Sequence, residues 1–271
     1  MLLITSTKKY WLIIRNTWDE YATYRLNFIL WRVRVIIRFF ITYFLWASIY
    51  STTGQNFFGY SREQMLTYVL SVYIVSNFVF ATRTQEVGAE INEGKLTNYL
   101  LQPLGYFSWL WTRDISDKLL NSLCTIFEVL FLILILKPPL FIQTNTILLV
   151  ITLITFITAI IVYFCISLLL SFIGFWTSEV WATRFIFFIL LDFLAGNFFP
   201  IDILPPVLAK TLLFTPFPYL FYFPVKIYLG QLTTNEISIG FLVLFCWTII
   251  LVKSVVRVWK KGLRTYSAEG R

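Results

Sequence analysis

ILLVITLITFITAIIVYFCISLLLSFI, residues 147–173, runs 27 positions without a charged side chain. A hydrocarbon core about 30 Å thick needs about 20 apolar residues of helix, so this run is long enough to cross it and to tilt. A helix apolar all round has no face to offer water. Five further runs are mainly apolar but carry a few charges: residues 28–50, 65–84, 115–136, 184–199 and 237–258, of which 184–199 is the shortest. In lipid each unpaired backbone group costs several kcal/mol, so every run is expected as a helix that satisfies its own peptide bonds. The fold class expected is an all-α integral membrane protein of about six transmembrane helices, a single domain over residues 1–271.

Composition agrees. Charged residues make up 13% of the 271 and hydrophobic residues 58%, against about 25% charged in a soluble domain, which excludes an ordinary water-soluble enzyme. With no histidine, and with Cys124, Cys165 and Cys246 each inside an apolar run, the commonest zinc-site and Cys–His chemistries have no residues to work with. All three cysteines are expected as small buried hydrophobes. No catalytic, cofactor-binding or metal-binding residue is assigned.

The net charge of +8 is explained by orientation and anionic headgroups rather than by nucleic acid, because the basic residues flank the apolar runs. Of the 22 Lys and Arg, counting by loop parity puts all but Arg62, Lys137, Lys210 and Lys226 on one side. That side is the cytoplasmic one, and both termini fall there. Residues 8–27 mix Lys8, Lys9, Arg15 and Arg25 with Tyr10, Trp11, Trp18 and Tyr24, so 1–27 is expected as a helix lying in the cytoplasmic interface, with residues 259–271 as a cytoplasmic tail. No cleavable export signal is expected, since Lys8, Lys9 and Arg15 interrupt the first apolar residues.

Three segments are more than hydrophobic filler. Residues 85–114 form the one sizeable cytoplasmic loop. There Glu86, Glu90 and Glu93 fall on nearby turns of a short helix, Gly94 permits a turn, and Leu96, Tyr99, Leu100 and Leu101 offer an apolar patch ended by Pro103. Such a loop suits docking of a cytosolic partner or rest on the lipid surface. Residues 197–230 hold six of the nine prolines. No continuous helix survives that density, so short helices and turns at the outer face are expected, with Pro205 and Pro206 in a first helical turn after Asp202. An exit gate and a lipid-resting cap both fit. Finally Arg38, Glu128 and Asp192 lie within runs, where a charge costs roughly 2.5–3.5 kcal/mol on insertion scales. Arg38 either pairs with Glu128 or Asp192, or snorkels with Arg34 toward the cytoplasmic side.

The stretches YRLNFILW at Tyr24, GYSREQMLTYVL at Gly59, EINEGKLTNYLLQPLGY at Glu90, FWTSEVWATRF at Phe175, FPIDILPPVLAKTLLFTPFPYLFYFPVKIYLG at Phe199 and RTYSAEGR at Arg264 together resemble the permease subunits of type-2 ATP-binding-cassette (ABC) exporters. The resemblance covers almost the whole chain. It implies that the loop after the second span carries a coupling helix on a cytosolic ABC ATPase, with Glu86, Glu90, Gly94, Lys95, Leu96, Asn98 and Leu100 in or beside the contact. It implies that Phe199, Pro200, Asp202, Pro205, Pro216, Pro218 and Tyr219, within residues 200–236, build a re-entrant outer element. It also implies a second permease chain, identical or related, and the cytoplasmic membrane of a prokaryote. No GxxxxGK[ST] occurs, so ATP and magnesium would be bound by the partner ATPase and this chain would not itself be an enzyme. Two alternatives carry less: a proton-coupled carrier using Glu128 or Asp192, which lacks the internal repeat common in such folds, and a lipid-modifying enzyme drawing on Glu128, Asp192, Asp114 or Asp117.

Overall fold

The structure, a computed structural model, describes residues 2–53, 56–102 and 104–267. Pro103 and the last four residues of the RTYSAEGR stretch lie outside that set. Helices α1 (Leu2–Thr23) and α2 (Arg25–Thr53) are followed by α3 (Arg62–Val79), a 3-10 turn at Arg83–Gln85, and the short α4 (Val87–Asn92) and α5 (Leu96–Leu100). Two long helices come next, α6 (Tyr106–Leu136) and α7 (Thr146–Ser171), then α8 (Val180–Leu194), the short α9 (Pro206–Leu212) and α10 (Tyr222–Tyr228), and α11 (Thr234–Leu263).

Local chemistry sets the ends. Ser61 Oγ accepts from Gln64 N while Ser61 N donates to Gln64 Oε1, a reciprocal cap that starts α3. Thr233 and Glu236 do the same for α11. Asn145 caps α7 by accepting from Ile147 N. Helix α6 stops where Lys137 turns left-handed at φ 43°, just before Pro138 and Pro139, which cannot continue it.

Helix α7 is the hub: α11, α10, α3, α8 and α4 all pack on it, while α1 lies along α6 and α2 along α3. The approach of α4 needs two glycines. A Cβ on Gly88 would stand 2.7 Å from Val180 Cγ1, and one on Gly174, just beyond α7, would stand 2.9 Å from the Gly88 carbonyl oxygen. Only backbone fits between these elements.

Length and composition of the helices bear out part of the expected span count. Among the described residues three helices are long and apolar enough to cross a membrane, Tyr106–Leu136, Thr146–Phe175 and Thr234–Leu263. Arg62–Val79 with Arg83–Asn92, bent by 55°, raises the number to four. Six is not reached on length and composition. Helix α2 has the length, at 29 residues, but carries Arg25, Arg32, Arg34 and Arg38. Helix α8 has 15 residues, about 22 Å of helix, shorter than the hydrocarbon core. Helix α6 also begins at Tyr106 rather than near Ile115, so residues 106–114 belong to it and not to the loop.

Candidate functional site

Two charged centres lie along the bundle. At one end Arg83 and Arg113 gather carboxylates from three elements. Arg83 Nη1 lies 2.5 Å from Glu86 Oε1 and 3.4 Å from Glu20 Oε2, and its Nε 3.2 Å from Asp117 Oδ1. Arg113 Nη2 lies 2.8 Å from Glu20 and 3.1 Å from Glu86, and its Nη1 3.7 Å from Glu90. Helix α1 is clamped to the cluster: Trp18 Nε1 donates to the Ser116 carbonyl at 3.1 Å, Tyr21 donates to Asp117, and the Arg83 guanidinium sits 4.4 Å from the Tyr21 ring centroid.

This geometry revises the reading of residues 85–105. Glu90 does not face outward; it is 8% exposed and turned onto Arg113. Burial pushes its carboxyl up to about 7, with Arg113 pulling down and Glu86 pushing up. Leu96 is fully buried. Tyr99 stacks on Trp109 with ring centroids 4.2 Å apart. The apolar patch therefore shrinks to Leu100, 42% exposed, and Leu101, 80% exposed. Lys95 pairs with Glu93 on the exposed side, Asn98 is exposed, and Gly94 makes the turn at φ 71°. One residue that sequence reasoning misses holds this loop. Tyr266 Oη donates to the Gly94 carbonyl at 2.7 Å and accepts from Thr97 N at 3.1 Å. Nothing local marks Tyr266; only its place in the RTYSAEGR stretch hints at it.

Between the long helices two arginines neutralise the buried carboxylates. Arg38 Nη2 lies 2.6 Å from Asp192 Oδ2, and Asn197 Nδ2 donates to Asp192 Oδ1 at 2.7 Å. Glu128 is taken by Arg32, a partner that nothing in the sequence singles out. Arg32 Nε donates to Glu128 Oε1 at 2.7 Å, Nη2 donates to Glu128 Oε2 and Thr125 Oγ1, and Nη1 donates to Asn77 and Asn121 at 3.0 and 3.2 Å. Tyr73 Oη adds a bond to Glu128 Oε2 at 2.6 Å. All five guanidinium donors are thus used, as a buried charge requires. Asp114 pairs with Lys118 at 2.9 Å and Asp117 with Arg83.

A cavity of about 1160 Å³ opens between α2, α3 and α8 and reaches from Tyr24 and Glu86 to Asn197. It joins the two charged centres, since Arg83 and Asp117 line one part and Arg38 and Asp192 another.

At the end where α7 and α11 begin, the proline-rich segment folds as short pieces. Pro206 takes the first position of α9 with Pro205 as its cap, and neither α9 nor α10 exceeds seven residues. Pro200, Pro216, Pro218 and Tyr219 are buried, Phe199 is half-buried and Pro205 exposed. Asp202 accepts from Tyr60 Oη at 2.9 Å and from Lys226 Nζ at 2.7 Å. Trp46 and Trp247 tie the segment to α2 and α11 by bonds to the Phe198 and Phe214 carbonyls. Cys165 is buried and Cys124 partly so, but Cys246, expected inside, is exposed on α11.

A search of curated proteins finds no match to the chain. A family model described as ABC-2 family transporter protein matches residues 36–270, which takes in the long helices, the braced loop and the proline-rich segment, and the chain belongs to that family.

Proposed function

We propose that this chain is the membrane-spanning permease subunit of an ABC exporter, worked by a separate cytosolic ATPase. Membership of the ABC-2 family makes it a membrane component of an ABC transporter; the direction of transport, the docking site and the assembly are the finer parts of the proposal. The observation that carries it is the build of residues 83–102. A short helix and a turn present Leu100 and Leu101 outward, while Glu86, Glu90 and Arg83 fasten the same segment to α1 and α6. A push on the leucines is thereby delivered to two helices through several ion pairs that act together, at 3.1 to 3.7 Å.

In this reading ATP and magnesium bind the partner, whose closure drives the loop and biases the helices between inward and outward states. Both termini lie in the cytoplasm of a prokaryote, a second permease chain completes the pathway, and the segment around Asp202 forms the re-entrant outer element. A proton-coupled carrier working through Glu128 or Asp192 draws less support, because an arginine already occupies each carboxylate.

The test is purification of the chain expressed with its neighbouring genes, followed by identification of what remains bound and an ATPase assay. Leu100→Asp with Leu101→Asp is expected to release the ATPase while leaving membrane insertion intact. Retention of the ATPase by that double variant would remove the loop as its contact.

A further inference from the structure

The cavity between α2, α3 and α8 has a charge balance that its own residues leave open. Its carboxylates are engaged: Glu20 and Glu86 with Arg83 and Arg113, Asp117 with Arg83, and Asp192 with Arg38 and Asn197. Two of its lining cations have no carboxylate partner among the described residues. Arg34, on α2 one turn before Arg38, is exposed and makes no hydrogen bond or ion pair among the described residues.

Among the described residues Arg184, on α8, donates only to neutral oxygens. Its Nη1 bonds the Ser167 carbonyl at 2.9 Å and Ser171 Oγ at 2.6 Å, and its Nη2 bonds Ser167 Oγ at 2.7 Å. Of five guanidinium donors this leaves Nε–H and one Nη2–H without a partner among the described residues. Those two share one edge of the plane, the edge that grips a carboxylate or a phosphate with two parallel bonds. The serines fix the guanidinium from behind, Ser171 Oγ itself donating to the Thr84 carbonyl, so the fork is held in place before a ligand arrives.

Beside Arg184 the wall is aromatic. Trp181 and Phe185 stack with centroids 5.2 Å apart and are 74% and 51% exposed, and both line the cavity with Trp31 of α2. An apolar wall next to two cations with no carboxylate partner among the described residues calls for a ligand with both an acidic head and an apolar body.

We infer that this cavity binds an anionic amphiphile, its phosphate or carboxylate held by Arg184 and Arg34 and its apolar portion against Trp181 and Phe185, and that this is the chemical class the permease carries. The assignment of cargo rests on the permease reading; the binding site does not.

The experiment uses the full chain, alone and with its ATPase, in discs of phosphatidylcholine. Binding of phosphatidylglycerol is compared with that of a tail-matched phosphatidylcholine probe by native mass spectrometry, with inorganic phosphate as competitor. Phosphatidylglycerol is expected to bind about tenfold tighter, the worth of one charge-assisted bond. Arg184→Gln is expected to abolish that preference and Arg184→Lys, which keeps the charge but loses the fork, to restore part of it. Arg34→Gln, which loses no partner among the described residues, is expected to weaken the preference severalfold. Persistence of the preference in Arg34→Gln and Arg184→Gln would assign it to the overall +8 charge and overturn the site. Full competition by phosphate alone would make it a free-anion site and overturn the amphiphile. Disulfide formation between copies bearing Phe185→Cys, with binding lost, would give the cavity to a second chain and overturn both. With the ATPase present, phosphatidylglycerol is expected to raise ATP turnover several-fold. Absence of any ATP turnover would count against the permease reading, whereas turnover indifferent to phosphatidylglycerol would sink only the cargo.

Discussion

Tyr266 donates a hydrogen bond to the carbonyl of Gly94, 172 residues earlier, across 2.7 Å. The same hydroxyl accepts from the Thr97 amide. It therefore closes the turn between α4 and α5 from outside, tying the end of α11 to the loop proposed to meet the ATPase. Trp259, one turn inside α11, stacks on Tyr106 with ring planes 5° apart, so the end of α11 is packed against the start of α6.

Removing that hydroxyl isolates the clasp. Tyr266→Phe keeps the ring against Phe175 but leaves the Gly94 carbonyl and the Thr97 amide only their long mutual bond of 3.4 Å, a loss of about 1 kcal/mol. Amide exchange over residues 92–101 is expected to quicken severalfold, with the rest of the chain unchanged. Unaltered protection there would mean that the clasp does not hold the turn.

Glu90 gives the loop a pH dependence with a definite sign. Its carboxyl, ordinarily near 4.5, titrates near 7 when folded because burial outweighs Arg113, a cation already shared with Glu20 and Glu86. Between those values the folded loop holds a proton that the unfolded chain has released. Loop stability is thus fully present below about pH 4.5 and is lost as pH rises through 7, by on the order of 3 kcal/mol at 1.36 kcal/mol per unit. Proteolysis within residues 83–102 is expected to be faster at pH 8 than at pH 5.5. Glu90→Gln should flatten that difference and protect the loop at pH 8.

Arg32 and Glu128 are a buried pair whose halves cannot be removed singly. Arg32→Gln or Glu128→Ala leaves the other charge between helices, at a cost of about 3–5 kcal/mol. Thermal unfolding in detergent is expected to drop by several degrees for either, whereas Arg32→Leu with Glu128→Leu should lie closer to the parent. Equal or greater loss in the double variant would show that the pair contributes more than mutual neutralisation.

The contact of Gly88 with Gly174 sets how closely α4 approaches the hub. Gly174→Ala puts a methyl 2.9 Å from the Gly88 carbonyl oxygen, and overpacking of this kind costs about 1–3 kcal/mol. Weaker retention of the ATPase and a lower unfolding temperature are expected together. Gly105→Ala is the control, since its nearest neighbour would be Ser108 Oγ at 3.9 Å; equal effects from the two would point to chain stiffness instead.

Much of the fold is legible in the sequence because the responsible chemistry is local. Residues 147–173 can only be helix in lipid, and six prolines forbid a long helix over 197–230. Each of these depends on residues a turn or two apart, where spacing and composition are enough. A short helix and turn over residues 85–102 are legible by the same means, but local spacing puts Glu90 and Leu96 at the surface when both turn inward.

What decides those cases lies far along the chain. Glu90 is drawn in by Arg113 and Glu128 is taken by Arg32 rather than Arg38, 96 residues separating the last pair; Gly94 meets Tyr266 across 172. A charge within an apolar run signals only that a partner must exist, because desolvation acts on the charge whoever answers it. Sequence alone therefore specifies the membrane class, the long helices and the broken segment, all products of burial and backbone chemistry within single elements. Tertiary packing selects which arginine meets which carboxylate, and leaves Arg34 and the open edge of Arg184 facing one cavity, because pairing depends on which helices lie side by side.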